Sequence, residues 1–504
     1  MLKSRLCIAF FAFAVGCAPA QKPLTDYVNP MLGTATLWDS VDLGFKPTKR
    51  TWGAEVFPGS SLPNAMVQVS PVTKFHSGAG YQYEDSVIYG FTHTNKGHWN
   101  LCHIPLLPVT GTPTPGDYCS PFSHERESAA PGYYQVFLDR YGVDAQLSST
   151  LRCAFHKYTY PAGAAASLLA DLQRSNEHVR AWDIRKEGDN VFAGWQQTGE
   201  KMYFYAVANR PVTGIEPVVE GDREVRIVRF GEGDGALELR IGFSFVSEKN
   251  ARENLEAEML GKSFAEVRSE ATATWNDLLG RIRVEGGTER EKGLFYSSLY
   301  RSFLWPALRS DVNGEFTDVD GKVINPGFRY YTGPSYWDDY RNKLILLGML
   351  APDVAADVIS SDTDKGEKRG GFMPTFFHGD HASAFVAGTY LRGNRGFDVN
   401  RAYNLVLRNA TVQGPSRPWL DEYIAKGYIS EMDVENPVTW TVCKAAVTKT
   451  LEYSYDDYAV ALLADALGDK ENRDMLMKRT SNYKNLFCLL YTSPSPRDVE
   501  EYRM

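Results

Sequence analysis

The period of the hydrophobic residues changes once, near residue 250, and that change constrains the fold more than any other feature. Before it, short aromatic or β-branched runs stand at 133–138, 145–152, 154–160, 225–230 and 236–245. Gly, Pro and Asp punctuate them, and Gly-Glu-Gly-Asp-Gly fills 231–235. Period-two alternation turns one face of each strand inward, and many short strands of this kind stack as a β-sandwich. Past the change, Leu260, Phe264, Val267, Ala271, Trp275, Leu278 and Ile282 follow steps of three and four. One amphipathic linker helix is expected there. Beyond Gly286-Gly287, helices are expected over 292–304, 336–350, 381–391, 400–410 and 438–467. The expected division is an N-terminal sandwich over 21–249, a linker over 250–283 and a helical domain over 284–487.

Composition narrows the function classes. The 504 residues are 43% hydrophobic and 23% charged, which excludes a mainly disordered chain and fits two or three domains. Lys plus Arg is 54 against 62 Asp plus Glu, for a net charge of −8. No basic block is present, so nucleic acid is excluded as the main partner. Aromatic residues reach 13%, with 28 Tyr and 10 Trp. Such side chains suit a large core and equally suit the faces of sugars. Cys102, Cys119, Cys153 and Cys443 have the spacing of neither a disulfide scaffold nor a zinc site. No Gly-x-Ser-x-Gly elbow supports a serine hydrolase.

Both ends of the chain read differently from its middle. Residues 1–20, MLKSRLCIAFFAFAVGCAPA, carry Lys3 and Arg5 before a short apolar run. This is the pattern of a secretory signal, too short to span a bilayer. Ala14-Val15-Gly16-Cys17 resembles a lipobox with Cys17 as the lipidated residue, which would tether the protein to a membrane. Ala18-Pro19-Ala20 equally resembles an ordinary cleavage site. Export is expected either way, to the periplasm or as an outer-membrane lipoprotein. Residues 488–498, CLLYTSPSPRD, resemble a translated sequencing adapter, so 488–504 are expected to be an artefactual tail.

Trp337, Asp338 and Arg341 are the first candidate site residues. A Trp ring stacks on the C–H face of a sugar, while a carboxylate accepts hydrogen bonds from vicinal hydroxyls. A continuous helix would bring Arg341 onto the same face. Asp380-His381 follows a glycine turn into a helix, and reads equally as a substrate-lining pair or as a helix cap. Glu452, Asp456 and Asp457 read as a solvated face or as interhelical hydrogen bonds.

Several segments together are similar to glycoside hydrolase family 92, the calcium-dependent exo-α-mannosidases. They are DYVNPMLGT at 26–34, FPGSSLPNAMVQVSP at 57–71, GFTHT at 90–94, FYSSLYR at 295–301, SYWDDYR at 335–341, GDHA at 379–382 and LEYSYDDY at 451–458. The resemblance implies an N-terminal β-sandwich, a helical linker and an (α/α)6 barrel, incomplete here, with the site at their interface. It implies calcium, mannose-containing glycans (N-glycan or mannan) as partners, and inverting hydrolysis by two carboxylates. Trp337, Asp338, Arg341, Asp380 and His381 would line the substrate. HTNKGHW at 93–99 departs from the family's compact pattern. There His93 and Trp99 would reshape the subsite beyond the cleaved mannose. The segments that carry the family's general acid and base have no match here, and SEMDVENP at 430–437 does not replace them. The parent is therefore expected to be an α-mannosidase and this chain inactive. The alternatives are a non-catalytic glycan-binding lipoprotein and another glycoside-active enzyme, such as a phosphorylase, on the same scaffold.

Overall fold

The computed structural model describes residues 22–36, 44, 55–96, 99–431 and 444–487, without the side chains of 95, 96, 99 and 100. The secretory signal with Cys17, Cys443 and the 488–504 segment lie outside the described residues.

The first domain is built on two antiparallel sheets. One has eight strands, which run in space from Ala181–Gly188 through Leu237–Ser244 and Cys153–Thr159 to Glu127–Ala130. The other has seven, from Ser60–Ser61 through Leu106–Val109 to Val212–Glu220. Burial alternates along Lys201–Ala208 and along much of Val143–Ser149, which is the sign of one face inward. Tyr134, Val136, Leu147, Phe204 and Ile241 of one sheet share a core with Val69, Phe91, Leu107 and Ile227 of the other. The expected strands are present, with ends shifted by at most three residues.

The linker is two helices rather than one. Glu248–Glu258 (α1) ends before Gly261, and Phe264–Leu279 (α2) begins at a capping box in which Ser263 and Glu266 exchange hydrogen bonds. A satisfied cap of this type is worth about 1 kcal/mol, enough to set a new start inside an otherwise helical pattern. Leu260 consequently faces water. On α2, Trp275 is fully buried, donates from Nε1 to the Ser61 carbonyl at 2.7 Å, and packs on Tyr300 with ring centroids 4.4 Å apart. One linker side chain thus ties the two domains together.

The remaining chain is mainly helical: Glu289–Ser302 (α3), Tyr336–Asp339 (α4), Lys343–Leu350 (α5), Pro352–Lys368 (α6), Ala382–Leu391 (α7), Val399–Thr411 (α8), Leu420–Lys426 (α9), Ala446–Leu467 (α10) and Lys470–Arg479 (α11). The expected helix over 336–350 is broken at 340–342, so Trp337 and Arg341 do not share a helix. Helix α6 was not expected, because its Asp, Ser, Thr and Gly residues blur the pattern, although Pro352 at its start is a start signal. The segment 57–64 docks on the helical domain through its backbone. The Asn64 amide donates to the Phe303 carbonyl at 2.6 Å and its side-chain Nδ2 to the Pro306 carbonyl at 2.8 Å. Asn64 tolerates the required φ of 52°.

Candidate functional site

Asp338 is exposed on the short α4 turn. It lines a cavity of about 160 Å³ with Glu55, Phe57, Arg301, Trp305 and Lys343. The walls therefore come from both domains. The neighbouring Asp339 turns inward, accepts the Ser335 amide at 3.2 Å and pairs with Lys343 at 3.2 Å. Asp338, Asp339 and Glu55 all line the cavity, and of the three Asp338 is the most exposed. Glu55 carries a φ of 49°, uncommon for a residue with a Cβ, at the edge of the same cleft.

Trp337 is half-buried. Its ring meets Phe377 edge-on with centroids 6.1 Å apart, and its Nε1 donates to Glu452 Oε1 at 3.3 Å. Arg341 stays beside it despite the helix break. Its Nη1 donates to the Trp337 carbonyl at 3.2 Å, and its guanidinium lies 5.3 Å from the Trp337 ring and 4.6 Å from that of Tyr340. Phe376 and Phe377 are exposed, and Phe377 holds a φ of 59°.

Behind Trp337 the groups are charged and dry. His381 is fully buried, with Nδ1 2.9 Å from Asp456 Oδ1 and Nε2 3.0 Å from Glu452 Oε2. The second contact is an ion pair whose angle is poor for a hydrogen bond. Tyr340 stacks on the imidazole at 3.7 Å with planes 13° apart. Burial opposes charge on His381, but Asp456 and Glu452 outweigh it and hold the pKa up at about 9. The imidazole is therefore protonated at neutral pH.

Asp380 does not cap α7. Its carboxylate is buried and accepts from Ser383 at 2.7 Å, Asn409 at 2.9 Å and Arg417 at 3.1 Å. Its backbone N–H donates to Asp456 Oδ2 at 2.6 Å. Arg417 in turn donates to Asp457 at 2.6 Å, and Arg479 stands 3.1 Å from the same carboxylate. Burial pushes Asp380 and Asp457 up.

The structure thus joins Trp337, Arg341, His381 and Asp380 in one network, with Asp338 on the cleft side of it. His93 lies elsewhere. It is fully buried in the sandwich, 3.0 Å from His156 and packed on Phe243 at 4.5 Å, and burial lowers its pKa to about 3. It is a core residue here and presents no surface to a sugar. Trp99 begins the strand Trp99–Asn100, which pairs with Asn95–Lys96; its side chain is outside the described residues. Sequence reasoning missed Glu452 as a neighbour of Trp337, and missed Tyr340 and Arg417 altogether. The spacing of Glu452 and Asp456, one helical turn apart, was the available signal.

Residues 27–253 match the glycosyl hydrolase family 92 N-terminal domain, and residues 250–500 match its catalytic domain. A family GH92 α-mannosidase of Bacteroides thetaiotaomicron is 26% identical, with a TM-score of 0.82 over 93% of this chain and 66% of that one. The same enzyme has been solved with mannoimidazole. A GH92 inverting mannosidase of that organism is 25% identical, with a TM-score of 0.80 over 92% of this chain and 65% of its own. An uncharacterized secreted glycosidase of Arthroderma benhamiae is 25% identical over 93% of this chain and 63% of that protein. The chain thus spans a little under two thirds of the length of these relatives. Two domain matches in sequence order, together with the shared fold, place it: the chain belongs to glycosyl hydrolase family 92.

Proposed function

We propose that the whole protein removes terminal α-linked mannose from N-glycans or mannan by inverting hydrolysis, and that this chain supplies the wall that binds the sugar. The observation that carries the reading is Asp338 exposed in a two-domain cleft beside the half-buried Trp337, in a chain whose structural neighbours are mannosidases. Asp338 accepts hydrogen bonds from sugar hydroxyls, and Trp337 stacks on the pyranose face. Arg341, near the rings of Trp337 and Tyr340, adds a donor at the rim. Asp380 and His381 have no exposed surface and act by holding that wall. The hairpin with Trp99 shapes the subsite beyond the cleaved mannose. The helical domain is the larger part of an (α/α)6 barrel.

The carboxylic acid and carboxylate of inverting hydrolysis have no motif match in this chain, so by itself it binds and does not cleave. Calcium is proposed for the whole protein alone. Among the described residues no three His, Cys, Asp or Glu side chains converge on a metal position. Export follows from the signal-like first twenty residues and from the secreted relative, with Cys17 as the candidate lipid anchor.

The test is calorimetric titration of the purified chain with α-linked mannobioses, with maltose as control. Saturable binding of mannobiose but not maltose is expected, with no mannose released. Equal binding of both sugars, or of neither, contradicts the binding role, and steady release of mannose contradicts the inactivity.

A further inference from the structure

Glu452 is a carboxylate with each oxygen committed. Oε1 takes the Trp337 indole N–H at 3.3 Å, and Oε2 sits 3.0 Å from His381 Nε2. Its side chain is 13% exposed, so these contacts form largely out of water. One turn further along α10, Asp456 holds the other imidazole nitrogen and also anchors the Asp380 backbone. The order is therefore indole N–H, carboxylate, imidazolium, carboxylate, backbone N–H, with unlike partners at every step. The local backbone is shaped for this approach. Gly379 has a φ of 76°, and a Cβ there would stand 2.8 Å from His381 Nε2 and 2.9 Å from Glu452 Cβ. Any other residue would push the pair apart.

The consequence falls on Trp337. An indole on a short four-residue helix has free rotation about χ1 and χ2 unless something holds its edge. Phe377 touches it edge-on and Arg341 lies over it, but its N–H has one hydrogen-bond partner among the described residues, Glu452. A flat sugar platform needs its plane fixed before ligand arrives, because ordering a side chain on binding subtracts from affinity.

We propose that Glu452 is the positioning residue of Trp337: it fixes the indole as a preformed wall for a pyranose, and is itself fixed by His381 and, through it, by Asp456. This deepens the mannose-binding reading and rests on it for the identity of the sugar.

The test compares Glu452→Ala, which leaves the indole N–H without an acceptor, with Glu452→Gln, whose amide oxygen still accepts it. The first readout is the near-ultraviolet circular dichroism band of Trp337, taken as the unsubstituted chain minus Trp337→Phe. The second is affinity for α-mannobiose. The expected result is loss of the band and at least about tenfold weaker binding in Glu452→Ala, with band and affinity (within about threefold) retained in Glu452→Gln. If Glu452→Ala does not fold, Glu452→Met removes the acceptor at similar volume. An intact band in the folded acceptor-free variant overturns the proposal, as does loss of the band in Glu452→Gln. If the unsubstituted chain binds no mannobiose, the mannose reading fails, and the sugar-free band still decides the role of Glu452.

Discussion

The sandwich and the helical domain bury histidine in opposite ways. In the sandwich, His93 and His156 face each other at 3.0 Å, and His103 is held between Thr94 and Thr198 at 2.8 Å each. Burial lowers all three, His93 to about 3, His103 to about 4 and His156 well below its ordinary value. In the helical domain His381 is just as buried, yet two carboxylates in contact hold it up at about 9. Depth alone therefore does not decide protonation; an anion in contact does. The surfaces differ as well. Among the described residues, three exposed large hydrophobic side chains lie before residue 246 and twenty after it. Val447, Leu451, Tyr455 and Tyr458 form one such stripe along α10. The sandwich is closed over its core, and the helical domain presents apolar surface.

The largest expected effect breaks the comparison from the acid side. For a histidine with a depressed native pKa, the unfolded chain takes up a proton below about 6.5 while the native state refuses it, so stability falls with pH. Each such group contributes a slope of up to about 1.4 kcal/mol per pH unit, and the three together roughly 4, between about pH 6.5 and 4. Urea midpoints measured at steps across that window should drop steeply, and His156→Gln should flatten the fall. A midpoint independent of pH there would show the histidines to be charged or hydrated.

The next effect is on the buried ion network. Arg417→Met leaves Asp380 and Asp457 without their shared cation, at a cost of about 3–5 kcal/mol. Two-probe unfolding should show the helical domain melting early while the sandwich transition stays in place. A loss below about 1 kcal/mol would mean that water or rearrangement replaces the guanidinium.

The smallest effect lies on the alkaline side. His381 has its native pKa raised, so its stabilisation is fully present below about 6.5 and lost as pH rises through about 9. The total is on the order of 3 kcal/mol. Replacing His381 with Asn should lower stability at pH 7 and remove the dependence between about pH 7 and 10. An unchanged alkaline limb would assign that dependence to another group.

Much of the fold was legible in the sequence because its signals are local. The aromatic and β-branched run at 133–138 became a strand with those same ends. The break between α1 and α2 lies in the Ser263–Glu266 cap, which a periodicity count passes over. The turn at 340–342 falls within the polar run Asp338 to Lys343, between the apolar residues Tyr336-Trp337 and Leu344–Leu347. At the site, Trp337 and Asp338 could be singled out because their side-chain chemistry suits sugar directly. Glu452 could not, since its meaning depends on two residues more than seventy positions away, Trp337 and His381. His93 failed for the mirror reason: a motif places it in sequence, and only the sheet pairing shows it to be enclosed.

The central claim is that the wall made by Trp337 and Asp338 holds a mannose-shaped ligand. The most direct measurement is calorimetric titration of mannoimidazole, the compound bound by a solved relative, into the chain, Asp338→Ala and Trp337→Ala. The account predicts saturable binding by the chain and at least about tenfold weaker binding by each variant, with melting temperatures within a few degrees of one another. Equal affinity in Asp338→Ala and the unsubstituted chain would contradict it.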